Sequence, residues 1–214
     1  MSNVPTTIFF SSSSASLEEE RGCLKDFEDR WNNHKHPDKP IKIIKWENGN
    51  HFRPTGMSFQ AGINPDIENS DLVIFLFSHV LGKHTNEEYK LVVDKNKSYR
   101  ILIKEPNISS LHRQSIEWLN DFILLRKFLS NIENDGVFTG EKPIVGLDAF
   151  QWQLSNCIEQ YFTTIETHNA SEKASEISYK GKNLDKIMLQ IFQRSLIDLP
   201  EELKASLLNN ITPI

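Results

Sequence analysis

The stretch SDLVIFLFSHVLGKHTNEEYKLVV, residues 70–93, decides the fold. Its centre, LVIFLF at 72–77, is apolar at every position. A strand with one wet face alternates apolar and polar residues, so an unbroken run marks a strand covered on both faces. Ser78 ends the run, a short glycine loop follows, and residues 85–94 read as a short helix. Three weaker β-branched or aromatic runs lie at 6–10, 41–46 and 100–104. In 41–46, Lys42 and Lys45 admit water and mark an edge.

Working outward, helical patterns fill spaces between these runs. Leu17, Leu24, Phe27 and Trp31 recur at helical spacing, and Ser16 with Glu19 has the spacing of a capping box. Strand and helix alternating in this way predict an α/β domain with a parallel sheet and right-handed crossovers. After Lys104 the strand signals stop. Residues 115–133 form an amphipathic helix carrying Ile116, Leu119, Ile123, Leu124 and Phe128, and 135–146 read as a loop. Residues 147–165 form another helix, with Phe150, Leu154, Ile158 and Tyr161 on one face. The polar stretch 168–182 lacks periodicity. The expected organisation is an α/β domain at 1–165, a polar linker at 166–183 and a helical tail at 184–214. The tail's apolar stripe must be buried, which implies self-association or a partner protein.

Composition excludes several classes. The 214 residues carry a net charge of -5, with a pI near 5.8 and a mean hydropathy of -0.43. Neither a nucleic-acid partner nor an anionic membrane surface is expected. No apolar run nears the ~20 residues that span a bilayer. The start MSNVPTTIFF has no basic segment of the secretory type. Cys23 and Cys157 support no disulfide framework and no cysteine-only zinc site. Both fall on apolar helix faces and read as core thiols. The expected location is the cytoplasm.

The chemical candidates are few. FFSSSSASLEEER, residues 9–21, places a serine-rich turn between strand and helix, where phosphate loops sit. It has no glycine, and Glu18, Glu19 and Glu20 would repel a phosphate there. The turn is therefore either solvated or offers hydroxyls to a sugar or base. His34 and His36 lack a third metal ligand, so no metal is expected. His79 and His84 flank the loop after the central run. No G-x-S-x-G elbow exists. In an open parallel sheet, ligands bind beyond the carboxyl ends of the strands, and Glu87 and Glu88 open the helix found there. Thr85 and Glu88 also have capping-box spacing, which alone accounts for both.

The collinear order of these features resembles a known family. A strand ending in serines is followed by Glu-Glu-Arg in the first helix and a strand ending at Trp46-Glu47. Then come Gln60 before Ile63-Asn64, SDLVIFLF, Leu-Gly before T-x-E-E-Tyr, and a hydrophobic strand. Further on lie LRKF, a Gly-Val-Phe turn, Phe150 and a helix ending at Tyr161-Phe162. Over about residues 6–162 this is similar to the TIR-like, nucleoside-2-deoxyribosyltransferase-like domain that precedes STAND-type NTPases in bacterial defence proteins. The resemblance implies a flavodoxin-like (TIR-like) parallel sheet with a C-terminal helical extension. The deoxyribosyltransferases show G-T-x-x-E; here Thr85-Asn86-Glu87-Glu88 keeps Thr and Glu, while Lys83-His84 replaces the glycine.

By that resemblance, Glu88 is the catalytic carboxylate. It would stabilise or trap an oxocarbenium-like state as an N-glycosidic bond of NAD or a related nucleotide breaks. Ser11, Ser12, Trp46, Asp71, Ser78 and Thr85 are the implied substrate neighbours, although Asp71 opens its strand and also reads as a cap. The nucleotide is substrate, and no separate cofactor is implied. The role is antiphage defence or signalling. The alternative is a non-catalytic interaction or nucleotide-sensing module of the same fold.

Overall fold

The computed structural model describes residues 4–12, 17–45, 59–106, 116–132 and 143–170. Four strands, β1 (Thr6–Ser12), β2 (Ile41–Lys45), β3 (Leu72–Phe77) and β4 (Tyr99–Ile103), form one parallel sheet in the order β2-β1-β3-β4. Beyond β4, Ile144 makes a parallel bridge with Lys104. Ile144 thus stands where a fifth strand would complete the flavodoxin-like order. All six side chains of β3 are buried, as its unbroken apolar run requires. In the edge strand β2, Ile41 and Ile43 are buried and Lys42 is exposed.

Among the described residues six helices cover the sheet: α1 (Glu18–Gly22), α2 (Leu24–Arg30), α3 (Phe59–Asn69), α4 (Lys83–Asp94), α5 (Ile116–Ile132) and α6 (Gly146–Ala170). A π-turn, Trp31–Lys35, continues α2. Strand alternation divides the core in two. On one face, Ile8, Phe10, Ile74, Leu76 and Leu102 pack against Leu17, Leu24 and Trp31 from the α1–α2 segment and Phe150, Leu154 and Ile158 from α6. On the other, Phe9, Val73, Phe75, Phe77 and Ile101 pack against Ile63 and Ile67 of α3, Val92 of α4 and Phe122 of α5. The layers are α/β/α.

The structure corrects several expectations. Helix α3 was not signalled, because Gly62, Asn64 and Pro65 give GINPDIEN the composition of a turn. Burial of Ile63 and Ile67, one turn apart on the helix, outweighs that propensity. Among the described side chains of α5, Trp118, Phe122, Leu125, Leu129 and Ile132 are buried, Ile123 and Phe128 pack partly buried against that core, and Leu124 is exposed. Leu124 is the misplaced member of the expected stripe, since the run FILL offers apolar residues on more than one side. Leu17, with no side-chain capping bond, precedes α1; Ser16, the other half of the expected box, lies outside the described residues. Helix α6 runs on to Ala170, five residues into the segment assigned to the linker. The rest of that linker and the tail lie outside the described residues.

Two backbone details fix the ends of the site-bearing segments. After α4, Asn96 takes a left-handed φ of 49°. Lys97 N–H donates to the Val92 carbonyl and Asn96 N–H to that of Val93. This Schellman closure turns the chain into β4. Gly146 has φ 79°, which a side chain would strain, and lets the chain swing from the Ile144 bridge directly into α6.

Candidate functional site

The order β2-β1-β3-β4 reverses direction between β1 and β3, because the chain leaves β1 for β2 on one side and returns to β3 on the other. At such a switch point the crossovers diverge and leave a crevice beyond the strand ends. Ser11 and Ser12 finish β1 there. They belong to the strand, not to a turn, in register with Phe75 and Leu76 of β3.

Ser11 follows Phe9 in alternation and so faces α3, α4 and α5. Its hydroxyl donates to Oε2 of Glu88 at 2.5 Å. Glu88 is in the second turn of α4, one helical turn before Val92, which anchors that face in the core. The Glu88 residue is only 5% exposed. Burial, and then the nearby charge of Glu87, push its pKa up to about 7 against the pull of the Ser11 hydrogen bond. Among the described residues no cation pairs with it. Glu87 points elsewhere, toward solvent, 3.4 Å from His84 Nδ1.

The capping-box explanation does not hold. Helix α4 starts at Lys83, with Gly82 as an extended N-cap and no side-chain capping bond. Thr85 is a buried third residue of the helix, and Glu88 reaches β1 instead of its own N-terminus. Thr85 and Glu88 share a helix face, three residues apart.

The other candidates separate. Ser12 alternates onto the opposite face, where its hydroxyl is buried without a hydrogen-bond partner among the described residues. Ser78 is buried just past β3. Asp71 sits at the far end of β3, about 23 Å of strand from Ser78. Its carboxylate accepts from Thr7 N–H at 2.7 Å, so it caps the sheet and does not join the Glu88 cluster. Trp46 lies outside the described residues. His79 stacks on Trp118 with ring centroids 5.6 Å apart, and burial holds its pKa down. Among the described residues no group of three or more His, Cys, Asp or Glu could hold a metal. No helix there is long and apolar enough to cross a membrane. Cys157 is fully buried, whereas Cys23 is half-buried, with its thiol pKa raised by desolvation.

A second buried carboxylate was missed. Glu20 of α1 is wholly buried, and its Oε1 lies 2.7 Å from Lys104 Nζ. The contact is an ion pair whose angles fall outside those of a hydrogen bond. Lys104 alternates with Leu102, so this pair covers the α1/α6 face of the sheet, opposite Glu88. The signal was present: Leu17, Glu20 and Leu24 are spaced three and four apart, which places Glu20 on the buried stripe.

No family model matches the sequence, and no curated protein matches it. Among solved structures, the chain matches the TIR domains of the activated Roq1 resistosome directly recognizing the pathogen effector XopQ. Identity is 15%, coverage is 88% of this chain and 98% of the other, and the TM-score is 0.34. The topology rests on this chain's own strand order and register.

Proposed function

We propose that the chain is a TIR-like nucleotide-processing domain that hydrolyses the N-glycosidic bond of NAD or a related nucleotide through Glu88. The observation that carries this reading is a buried carboxylate with no cation beside it among the described residues, at the switch point of a parallel sheet. Such a group costs folding energy, and strongly perturbed titratable groups of this kind cluster at functional sites. The resemblance of the T-x-x-E segment to the deoxyribosyltransferase pattern supports the same residue.

In this reading the ionised Glu88 stands against the anomeric carbon as the bond to the base lengthens. Its negative charge stabilises the developing oxocarbenium ion, and the Ser11 hydroxyl fixes its orientation. Nicotinamide carries its positive charge before cleavage and leaves neutral, so no general acid is needed. Water then adds to the ribosyl carbon and loses a proton. The setting is cytoplasmic defence or signalling, with activity raised by self-association.

The low exposure of Glu88 favours a second reading, in which the carboxyl group is only a buried acceptor in an interaction or sensing module. Incubation with NAD at high protein concentration, read by product chromatography, separates the two. Release of nicotinamide by wild type and by Glu87→Gln, with at least about a 100-fold loss in Glu88→Gln, is the expected result. An inactive wild type, or an active Glu88→Gln, supports the module reading.

A further inference from the structure

We propose that the groove between α2 with its π-turn and α6 is a second binding site, for a flat aromatic ring bearing one negatively charged group, such as a mononucleotide. The groove, open along one side, has a volume of about 580 Å³, within the ~300–1,000 Å³ typical of small-molecule sites. It lies on the α1/α2/α6 side of the sheet, away from the Ser11–Glu88 face.

Its floor is aromatic. Phe27 and Trp31 are buried there, and Trp152 of α6 forms the lip. Trp152 is 65% exposed, and no ring contact occupies it among the described residues. A large indole left in water beside a cavity offers a stacking face for a planar ligand. The cations are arranged unequally. Lys35 sits 5.3 Å from the Trp31 ring centroid and is held by Ser155 Oγ and Glu159 Oε1, each at 2.5 Å. Arg30 donates from Nη2 to Gln151 at 2.6 Å and from Nε to the Asp26 carbonyl at 3.3 Å. Its Nη1 group has no partner among the described residues and remains available to an anion. A guanidinium edge suits a phosphate or carboxylate. Asp148, on the same lining, opposes a second negative group, which limits the ligand to one.

The local backbone fits the same purpose. After Arg30 the helix widens into the π-turn, closed by His36 N–H donating to the Trp31 carbonyl at 2.8 Å. The widening places His34 and Lys35 on the groove. Such π-segments recur at functional sites.

The test is calorimetric and fluorescence titration of the full chain with adenosine 5′-monophosphate, which contains no nicotinamide bond to cleave. Saturable one-to-one binding is expected, weakened about tenfold or more by Trp152→Ala and by Arg30→Gln. Both residues are exposed, so both variants should fold. Adenosine and inorganic phosphate, each lacking half of the ligand, should bind at least about tenfold more weakly. Glu88→Gln should bind like wild type, which separates this site from the catalytic proposal. Absence of saturable binding at millimolar concentration would overturn the inference. So would affinity indifferent to Trp152 and Arg30, adenosine binding as well as the nucleotide, or binding lost with Glu88.

Discussion

Two carboxylates lie buried near the carboxyl end of the same sheet, and they are held differently. Glu20, over the α1/α6 face, has the Lys104 ammonium at 2.7 Å. Glu88, over the α4 face, has among the described residues only the Ser11 hydroxyl, and its pKa rises to about 7. The first is a compensated charge that ties α1 to the end of β4. The second is a desolvated acid whose ionisation the fold opposes. Burial alone therefore does not set a carboxylate's charge state; the presence or absence of a countercharge does.

The largest stability effect should come from breaking the compensated pair. Glu20→Gln leaves the Lys104 ammonium, 18% exposed, without its partner and should cost about 3 kcal/mol in urea denaturation. The double change Glu20→Met with Lys104→Met should recover most of that loss, because it removes both desolvated charges. A single variant costing under about 1 kcal/mol would erase the contrast between the two sites.

Glu88→Gln should move stability the other way. A raised folded-state pKa means that the folded protein holds more protons than the unfolded chain between the ordinary 4.5 and about 7. Stability from this group is then full below 4.5, falls as pH rises through that window, and stays low above it. The substitution should stabilise the protein at pH 8, by up to about 3 kcal/mol, and hardly at all at pH 4.5. Denaturation of both proteins at the two pH values checks the sign. Ser11→Ala should cost about 1 kcal/mol for the lost hydrogen bond at low pH. It should also shift Glu88 further upward, displacing the pH dependence of any activity toward alkali. The smallest effect belongs to Glu87→Gln, within about 0.5 kcal/mol at any pH, because that side chain faces solvent.

Much of this arrangement is legible in the sequence, for identifiable reasons. LVIFLF could be nothing but a doubly covered strand, and Phe150, Leu154, Ile158 and Tyr161 recur cleanly enough to place α6. Lys42 correctly marked the edge strand, whereas Lys45, read the same way, is partly buried and donates to the Arg21 carbonyl. The failures arise where local signals compete with distant contacts. Pro65 hid α3, whose only strong claim on helix is two isoleucines buried in the finished core. Thr85 and Glu88 matched a capping pattern, but Ser11, 77 residues away in sequence, takes the carboxylate. Glu20 sat among three consecutive acids that suited a helix dipole, and its partner was a strand-end lysine that only sheet order brings near. Spacing alone read Glu88 as half of a cap and the resemblance singled it out; tertiary structure shows that its contact is Ser11.

The charge state of Glu88 is the point on which the catalytic reading turns. Carbon-13 NMR titration of its side-chain carboxyl, assigned by comparison with Glu88→Gln, measures that state directly. The expected midpoint is about 7, well above the bulk of the carboxylates. A midpoint near the ordinary 4.5 would mean that Glu88 is solvated or paired like any surface acid, and would contradict a desolvated carboxylate at the switch point.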